Sequence, residues 1–312
     1  MTGAGTGALV TSERSLRELE LSIRRKLDGL FHGDHQAVLP GAGTEAGEGR
    51  RYEPGDDVRR IDWNLTARSG EVHVRDTIAE RELETWFVVD GTASLDYGTA
   101  RHEKRDLALA VLAAFGSLTA RPGNRTGVVV FDDTGVRMSP PRAGRGTVVG
   151  LLATLDRRAR PATPRPTRPT GTDEVEGAAT LADALRRLRL VAGRGGLVVV
   201  LSDLLDPSDW PRELRALAVR HDVVVAHLTD PREDDLPPVG LLTLVDPETG
   251  RRHEVQTSSR RFRARYAEAA AARRAEVAER LARSRAGHFE VRTDGEWLRD
   301  VVRFVSARRR RR

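Results

Sequence analysis

The sequence predicts an α/β fold: a doubly wound, mainly parallel sheet with an N-terminal helix and a β/loop attachment. Three observations predict it. Short apolar runs rich in β-branched residues recur at 86–89, 126–131, 197–201 and 223–228. Unbroken runs of that length suit strands buried on both faces. Stretches of helical period separate the runs, and strands alternating with helices build a parallel sheet covered on both sides. Two of the runs end abruptly in polar pairs, Asp90-Gly91 and Ser202-Asp203. These are the strand ends at which open α/β sheets bind ligands.

In chain order, residues 1–11 are rich in Gly, Thr and Ala, a composition that stays disordered. Leu16, Leu19, Ile23, Leu27 and Leu30 step by three or four, one apolar stripe on a helix. Ser12 or Ser15 can cap it. This helix, a Gly-rich loop over 33–49 and a charged segment make up an N-terminal part, 12–82. Residues 71–79 alternate apolar and polar and read as a strand.

The main domain is expected over 83–307. Residues 101–120 read as a helix with Leu107, Val111, Leu112 and Phe115 on its buried stripe, ended by Arg121-Pro122-Gly123. The 126–131 strand turns through 132–135 into a short strand at 136–139. A helix over 146–158 and a Pro-rich linker over 161–172 follow. Thr180 starts an amphipathic helix over 180–191, and 193–196 turn the chain into the 197–201 strand. Then come a helix over 207–220, the 223–228 strand, and a hairpin of 241–245 with 253–255, inserted near 240–256. A long helix over 258–285 directs Phe262, Tyr266, Val277 and Leu281 inward. A strand at 289–291 and a helix at 297–305 close the domain. Arginines 308–312 form a basic tail of a kind that binds phosphates or a membrane; a frayed, solvated terminus is the favoured reading.

At 312 residues the chain can bury a large core. It has no cysteine, which excludes disulfides and thiolate metal sites. No apolar run approaches the ~20 residues of a membrane span. The first residues lack the regions of a signal peptide, so a cytoplasmic protein is expected. Lys and Arg number 52 against 46 acidic residues. Lysine is nearly absent, and the arginines come in a chain rich in Ala, Gly and Val. Arginine content alone is therefore weak support for nucleic acid. No Gly-x-x-x-x-Gly-Lys-Ser/Thr loop is present, which excludes a P-loop ATPase.

The stretch 84–94, ETWFVVDGTAS, organises the rest. Asp90, Thr92 and Ser94 put one carboxylate and two hydroxyls on one tight loop, all hard oxygen donors of the kind Mg²⁺ takes. An Asp-Gly turn capping the next helix accounts for the same residues without a metal. Thr180 begins the helix before the 197–201 strand, and Asp203 follows that strand. If the two strands are neighbours, Asp90, Thr92, Ser94, Thr180 and Asp203 converge. Their oxygens, some acting through water, then suffice for an octahedral site.

A second unusual stretch is 50–68, RRYEPGDDVRRIDWNLTAR. Arg51, Arg59, Arg60 and Arg68 interleave with Glu53, Asp56, Asp57 and Asp62 around Tyr52, Val58, Ile61, Trp63 and Leu65. It reads either as a recognition surface or as a brace in which Arg–carboxylate forks pin an irregular loop to the core. The brace, with Trp63 buried, is the expectation.

These strings carry a resemblance. DGTAS, Thr180 in GAATLADAL and Asp203 in VVVLSDLLD are similar to the metal-ion-dependent adhesion site of von Willebrand factor A domains. That site reads Asp-x-Ser-x-Ser, then a Thr, then an Asp; Thr92 stands where Ser is usual. GDDVRRIDW followed by ERELETWFVVDGTAS also resembles the bacterial family called domain of unknown function 58, over residues 12–228. The resemblance implies a von Willebrand factor A-like fold. It implies Mg²⁺ or Mn²⁺ held by Asp90, Thr92, Ser94, Thr180 and Asp203 when a partner is bound. It also implies work beside a MoxR-type AAA+ ATPase in the assembly or maturation of another protein.

Three functions follow as expectations. The first is a non-enzymatic adaptor whose cation captures an acidic side chain of that ATPase or of a client. The second is a metal-assisted hydrolase, which needs a general base near the metal. His73, His102, His221, His227 and His253 are scattered, none expected beside the strand ends. The third, nucleic-acid binding through arginines, would show a steep salt dependence.

Overall fold

The computed structural model describes residues 49–54, 56–58, 61–75, 83–120, 123–144, 150, 178–193, 195–246 and 251–310. The helix expected over 12–30, the linker over 161–172 and nearly all of the 33–49 loop and the 146–158 helix lie outside these residues, as do residues 76–79 of the first expected strand.

The chain opens with a small unit. Strand β1 (Gly49–Arg51) pairs antiparallel with β2 (His73–Arg75), and α1 (Trp63–Ser69) lies between them in sequence. Asp62 starts α1 by accepting hydrogen bonds from the Asn64 and Leu65 amides at 3.1 and 3.2 Å. Gly70, with φ +74°, ends it in the left-handed conformation that glycine adopts freely. This cap corrects the expected burial of Trp63, while Arg59 and Arg60 of the expected brace lie outside the described residues. The cap makes Trp63 the first residue of a short helix and leaves its indole 70% exposed, with Val58 61% exposed. The unit's buried apolar residue is Val74. The Arg51–Glu71 ion pair is exposed, a kind worth at most about 1 kcal/mol.

The main body is a six-stranded sheet. Its strands are β3 (Glu84–Asp90), β4 (Arg125–Asp132), β5 (Gly135–Ala143), β6 (Leu197–Ser202), β7 (Asp222–Thr229) and, last in the chain, β10 (Gly287–Arg292). Their order is β10-β7-β6-β3-β4-β5. All pairings are parallel except β4 with β5, which a two-residue turn joins. Strand β5 runs past the expected 136–139 through Pro140 and Pro141. It lies at the sheet edge, where a proline costs no ladder bond.

Among the described residues between β2 and β10 lie the helices α2 (Lys104–Thr119), α3 (Leu181–Val191), α4 (Trp210–Leu217), the short α5 (Pro231–Asp234) and α6 (Arg260–Ser284); α7 (Trp297–Arg309) ends the described chain. Alternate strand residues serve opposite faces. Phe87, Val89, Val199 and Leu201 meet α2 and α7 through Leu107, Val111, Phe115, Val301 and Val305. Trp86, Val88, Val198 and Val200 meet α3, α4 and α6 through Leu185, Leu188, Trp210, Leu214 and Leu281. Full burial of each such side chain contributes about 1.5–3 kcal/mol. Trp86 lies across from Gly127 on β4. A Cβ there would come within 2.8 Å of the indole, so the wide ring requires glycine opposite.

Strands β8 (Leu241–Val245) and β9 (Arg252–Gln256) form the expected hairpin, a separate two-stranded sheet. Along α6, Val277 and Leu281 are buried, while Phe262 and Tyr266 are half-buried. The basic tail does not begin at 308 as expected. Helix α7 continues to Arg309, and Arg308 forms an ion pair with Asp222 at the start of β7. No described helix is long and apolar enough to cross a membrane.

Candidate metal centre at the sheet edge

Strands β3 and β6 are neighbours, with Val89 level with Leu201. Asp90 therefore ends its strand beside Ser202, and Asp203 follows. Asp90 is 3% exposed. Its Oδ1 accepts from the Thr92 amide at 3.0 Å and the Thr92 hydroxyl at 2.6 Å. Its Oδ2 accepts from the Ser202 hydroxyl at 2.7 Å. Thr92 Oγ1 lies 3.0 Å from Ser94 Oγ. Thr92 gives its one proton to Asp90, so Ser94 is the donor in that contact.

The Thr92 amide bond to Asp90 Oδ1 is that of an Asx turn, so the turn reading and the ligand reading both fit this loop. Thr92 is the N-cap of a 3₁₀ turn over Ala93–Asp96, yet its hydroxyl makes no capping bond. It points back at the carboxylate instead. Gly91 is needed here because its amide bonds the Phe131 carbonyl at 2.8 Å, and a Cβ would lie 3.1 Å from that oxygen. Arg105 holds the loop from outside, on the Thr92 carbonyl at 3.1 Å and on Asp96.

Thr180 sits at the N-cap of α3 as expected. Its hydroxyl donates to Asp183 Oδ2 at 2.6 Å and accepts from the Asp183 amide at 3.1 Å. This capping box leaves the hydroxyl one lone pair. The preceding Ala179 amide bonds the Asp132 carbonyl at the end of β4, which anchors the helix start at the same sheet edge.

Asp203 is 3% exposed and carries an unforeseen partner. Lys104 Nζ donates to Asp203 Oδ2 at 2.8 Å and to Glu233 Oε1 at 2.6 Å. The lysine is 1% exposed. Burial opposes its charge, but Asp203 and Glu233 outweigh burial and hold its ammonium above the usual range. Asp203 Oδ1 accepts from the Leu205 amide at 3.2 Å. Leu204 between them has φ +58°, a left-handed conformation that costs a leucine about 1–2 kcal/mol. Its side chain is buried, and its amide bonds the Ser202 hydroxyl at 3.0 Å.

One histidine expectation is overturned. His227 lies beside a strand end, because β7 pairs with β6 and places it level with Ser202. Its Nε2–H donates to the Asp203 carbonyl at 3.2 Å. Burial holds its imidazole below the usual range, hence neutral at pH 7.

The electrostatics single out Asp90. Burial, then the neighbouring Asp203, push its carboxyl up to about 7, against the Thr92 and Ser202 hydrogen bonds that favour ionisation. The partners named for it are neutral. The donor set is oxygen throughout and suits Mg²⁺ or Mn²⁺ rather than softer ions. Among the described residues no three His, Cys, Asp or Glu gather in metal-holding geometry, so such a site depends on its hydroxyls. The residues fit the ion: a buried, uncompensated carboxylate with two hydroxyls in a row is what a hard cation would stabilise.

The pattern of the family described as "Protein of unknown function DUF58" matches residues 48–276. An uncharacterized protein of Mycobacterium tuberculosis is 46% identical over 299 residues, covering 95% of this chain and 89% of that one. An uncharacterized protein of Mycobacterium avium is 42% identical over 171 residues, covering 55% of this chain and 94% of that one. Among solved structures, BatB from Bacteroides thetaiotaomicron is similar over 73% of this chain and 99% of its own, with TM-score 0.43 and 12% identity. The SpRpn10 VWA domain is similar over 71% of this chain and 94% of its own, with TM-score 0.37 and 11% identity.

Proposed function

This chain belongs to the DUF58 family, and from that premise we propose that it is a non-enzymatic, metal-dependent protein-binding adaptor. One observation carries the reading: Asp90 is a buried carboxylate, met by neutral donors, at the ligand-binding edge of a parallel sheet. Asp90, Thr92 and Ser94 would hold Mg²⁺ or Mn²⁺, with Thr180 offering its remaining lone pair and Asp203 acting through water. Such a cation, when bound, offers an acidic side chain of another protein a direct electrostatic partner. The protein's own part is to hold the three oxygens in one hydrogen-bonded row. Gly91 and Arg105 hold their loop, and Ser202 orients the carboxylate.

The partner is a MoxR-type AAA+ ATPase or its acidic client, with assembly or maturation of that client as the outcome. The hydrolase alternative has less support, since His227, the imidazole bonded to the Asp203 carbonyl, is half-buried and spends its Nε2–H on that carbonyl. The test is capture of a purified MoxR-type ATPase, and of acidic client proteins, at constant ionic strength. EDTA is expected to abolish capture and added Mg²⁺ to restore it. Capture that ignores EDTA but declines steadily with salt would instead point to the arginine surface.

A further inference from the structure

Asp203 already holds a cation, and it is Lys104. The ammonium lies between Asp203 Oδ2 and Glu233 Oε1, at 2.8 and 2.6 Å. Its stem is anchored at the start of α2, where the Lys104 amide bonds the Tyr97 carbonyl at 2.9 Å. The Tyr97 ring covers it, 5.8 Å from Nζ to the centroid. The second oxygen of Asp203 accepts the Leu205 amide. Both oxygens are thus engaged, one by a full positive charge. Asp90, one strand over, meets an amide and two hydroxyls.

The choice of base is informative. Lys26 and Lys104 are the two lysines among 52 basic residues. An ammonium is a compact point charge that fits between two carboxylates in a closed space, whereas a guanidinium is a wide planar fork. A second positive charge beside the same carboxylate would repel it strongly where water is excluded.

We infer that Lys104 keeps Asp203 from coordinating the divalent ion directly, leaving Asp90 as the carboxylate that binds it without an intervening water and keeping the site's affinity low until a partner adds its own. This rests on the reading of the sheet edge as a divalent-cation site, and it assigns Lys104 a positioning role through Asp203. Low resident affinity suits an adaptor, because the incoming acidic side chain then supplies a decisive share of the ligand charge. Ligand charge count is a main determinant of divalent affinity at oxygen sites.

Calorimetric titration of the full chain with Mg²⁺ and with Mn²⁺ tests this. Lys104→Met combined with Glu233→Gln removes the ammonium without stranding the second carboxylate. It is expected to bind about tenfold tighter than wild type or more, as Asp203 joins the site. Lys104→Gln is the second variant should the first fail to melt cooperatively. Glu233→Gln alone keeps the ammonium on Asp203 and is expected to give no tightening, which a packing effect would not reproduce. Asp203→Asn is expected to weaken binding by a larger factor in the Lys104→Met/Glu233→Gln background than in wild type. Equal factors in both backgrounds, or no tightening in any charge-removing variant, would overturn the inference while leaving the metal site standing. Binding seen only once the charge is removed supports it in its strongest form. If neither wild type nor any variant takes up either ion, the metal reading itself fails, and the inference with it.

Discussion

Asp90 and Asp230 occupy equivalent places and behave oppositely. Asp90 is the last residue of β3 and Asp230 follows β7, both at the same edge of the sheet. Both are buried, at 3% and 0% exposure. Both accept a threonine hydroxyl and a backbone amide. Asp230 accepts four bonds: the Thr99 amide and hydroxyl at 2.8 and 2.5 Å, the Thr293 hydroxyl at 2.6 Å and the Arg232 amide at 2.9 Å. Burial pushes its carboxyl up, yet these bonds win and hold it below the usual range. Asp90 accepts three and faces Asp203, and burial wins. Asp230 is a finished joint, tying the 97–103 loop and the end of β10 to β7. Asp90 is an open one. The difference shows that burial alone does not set a carboxylate's charge state; the hydrogen bonds that meet it and the charge of its neighbour decide.

The largest test of this contrast is Asp230→Ala. It strands two amides and two hydroxyls, so a loss of at least about 3 kcal/mol is expected in urea unfolding. A loss below about 1 kcal/mol would break the comparison. Asp90→Asn is expected to do the reverse in metal-free protein, gaining about 1–2 kcal/mol at pH 8 while erasing any Mg²⁺-induced rise in melting temperature. The sign follows from linkage. The folded Asp90 carboxyl, at about 7 against an ordinary 3.8, keeps a proton that the unfolded chain has released. Wild-type stability therefore falls from this group as pH rises from about 4 to about 7. Asp230 works oppositely: its contribution is present above the ordinary carboxylate range and is lost as pH falls below it. Asp90→Asn should flatten the first slope and leave the second. The smallest effect is expected at Trp63, where the 70% exposed indole predicts a cost within about 0.5 kcal/mol for Trp63→Ala in a thermal melt. A cost of several kcal/mol would restore the brace.

The fold was legible because its strands are locally loud. LVVVL and TWFVV bury both faces, and the sequence shows this without knowledge of their neighbours. Asp90, Thr92 and Ser94 were legible for the same reason: they lie within five consecutive residues. Lys104 was not. It is one of three consecutive charges, with Arg105 and Asp106, that open an otherwise apolar helix, and its partners are 99 and 129 positions away in sequence. His227 was hidden likewise, since only the β6–β7 pairing brings it level with Ser202. Trp63 was misread because a rare aromatic in a charged stretch suggests burial. Asp62 ahead of it is an equally plain cap signal, and it turned the segment into a helix.

Leu204 carries a consequence for how the edge can move. A residue with φ +58° is ordinarily a place where a loop relaxes. Here the side chain is sunk in the core and the amide is tied to Ser202. The chain after β6 can neither swing outward without exposing a leucine nor settle inward without breaking that tie. The edge therefore meets its visitors with a fixed backbone, and adjustment falls to side-chain rotamers, chiefly those of Ser202, Asp203 and Lys104. Recognition at such an edge registers as a redistribution of charge within a rigid frame, and spectroscopic labels on the loop would stay silent while those on the side chains respond.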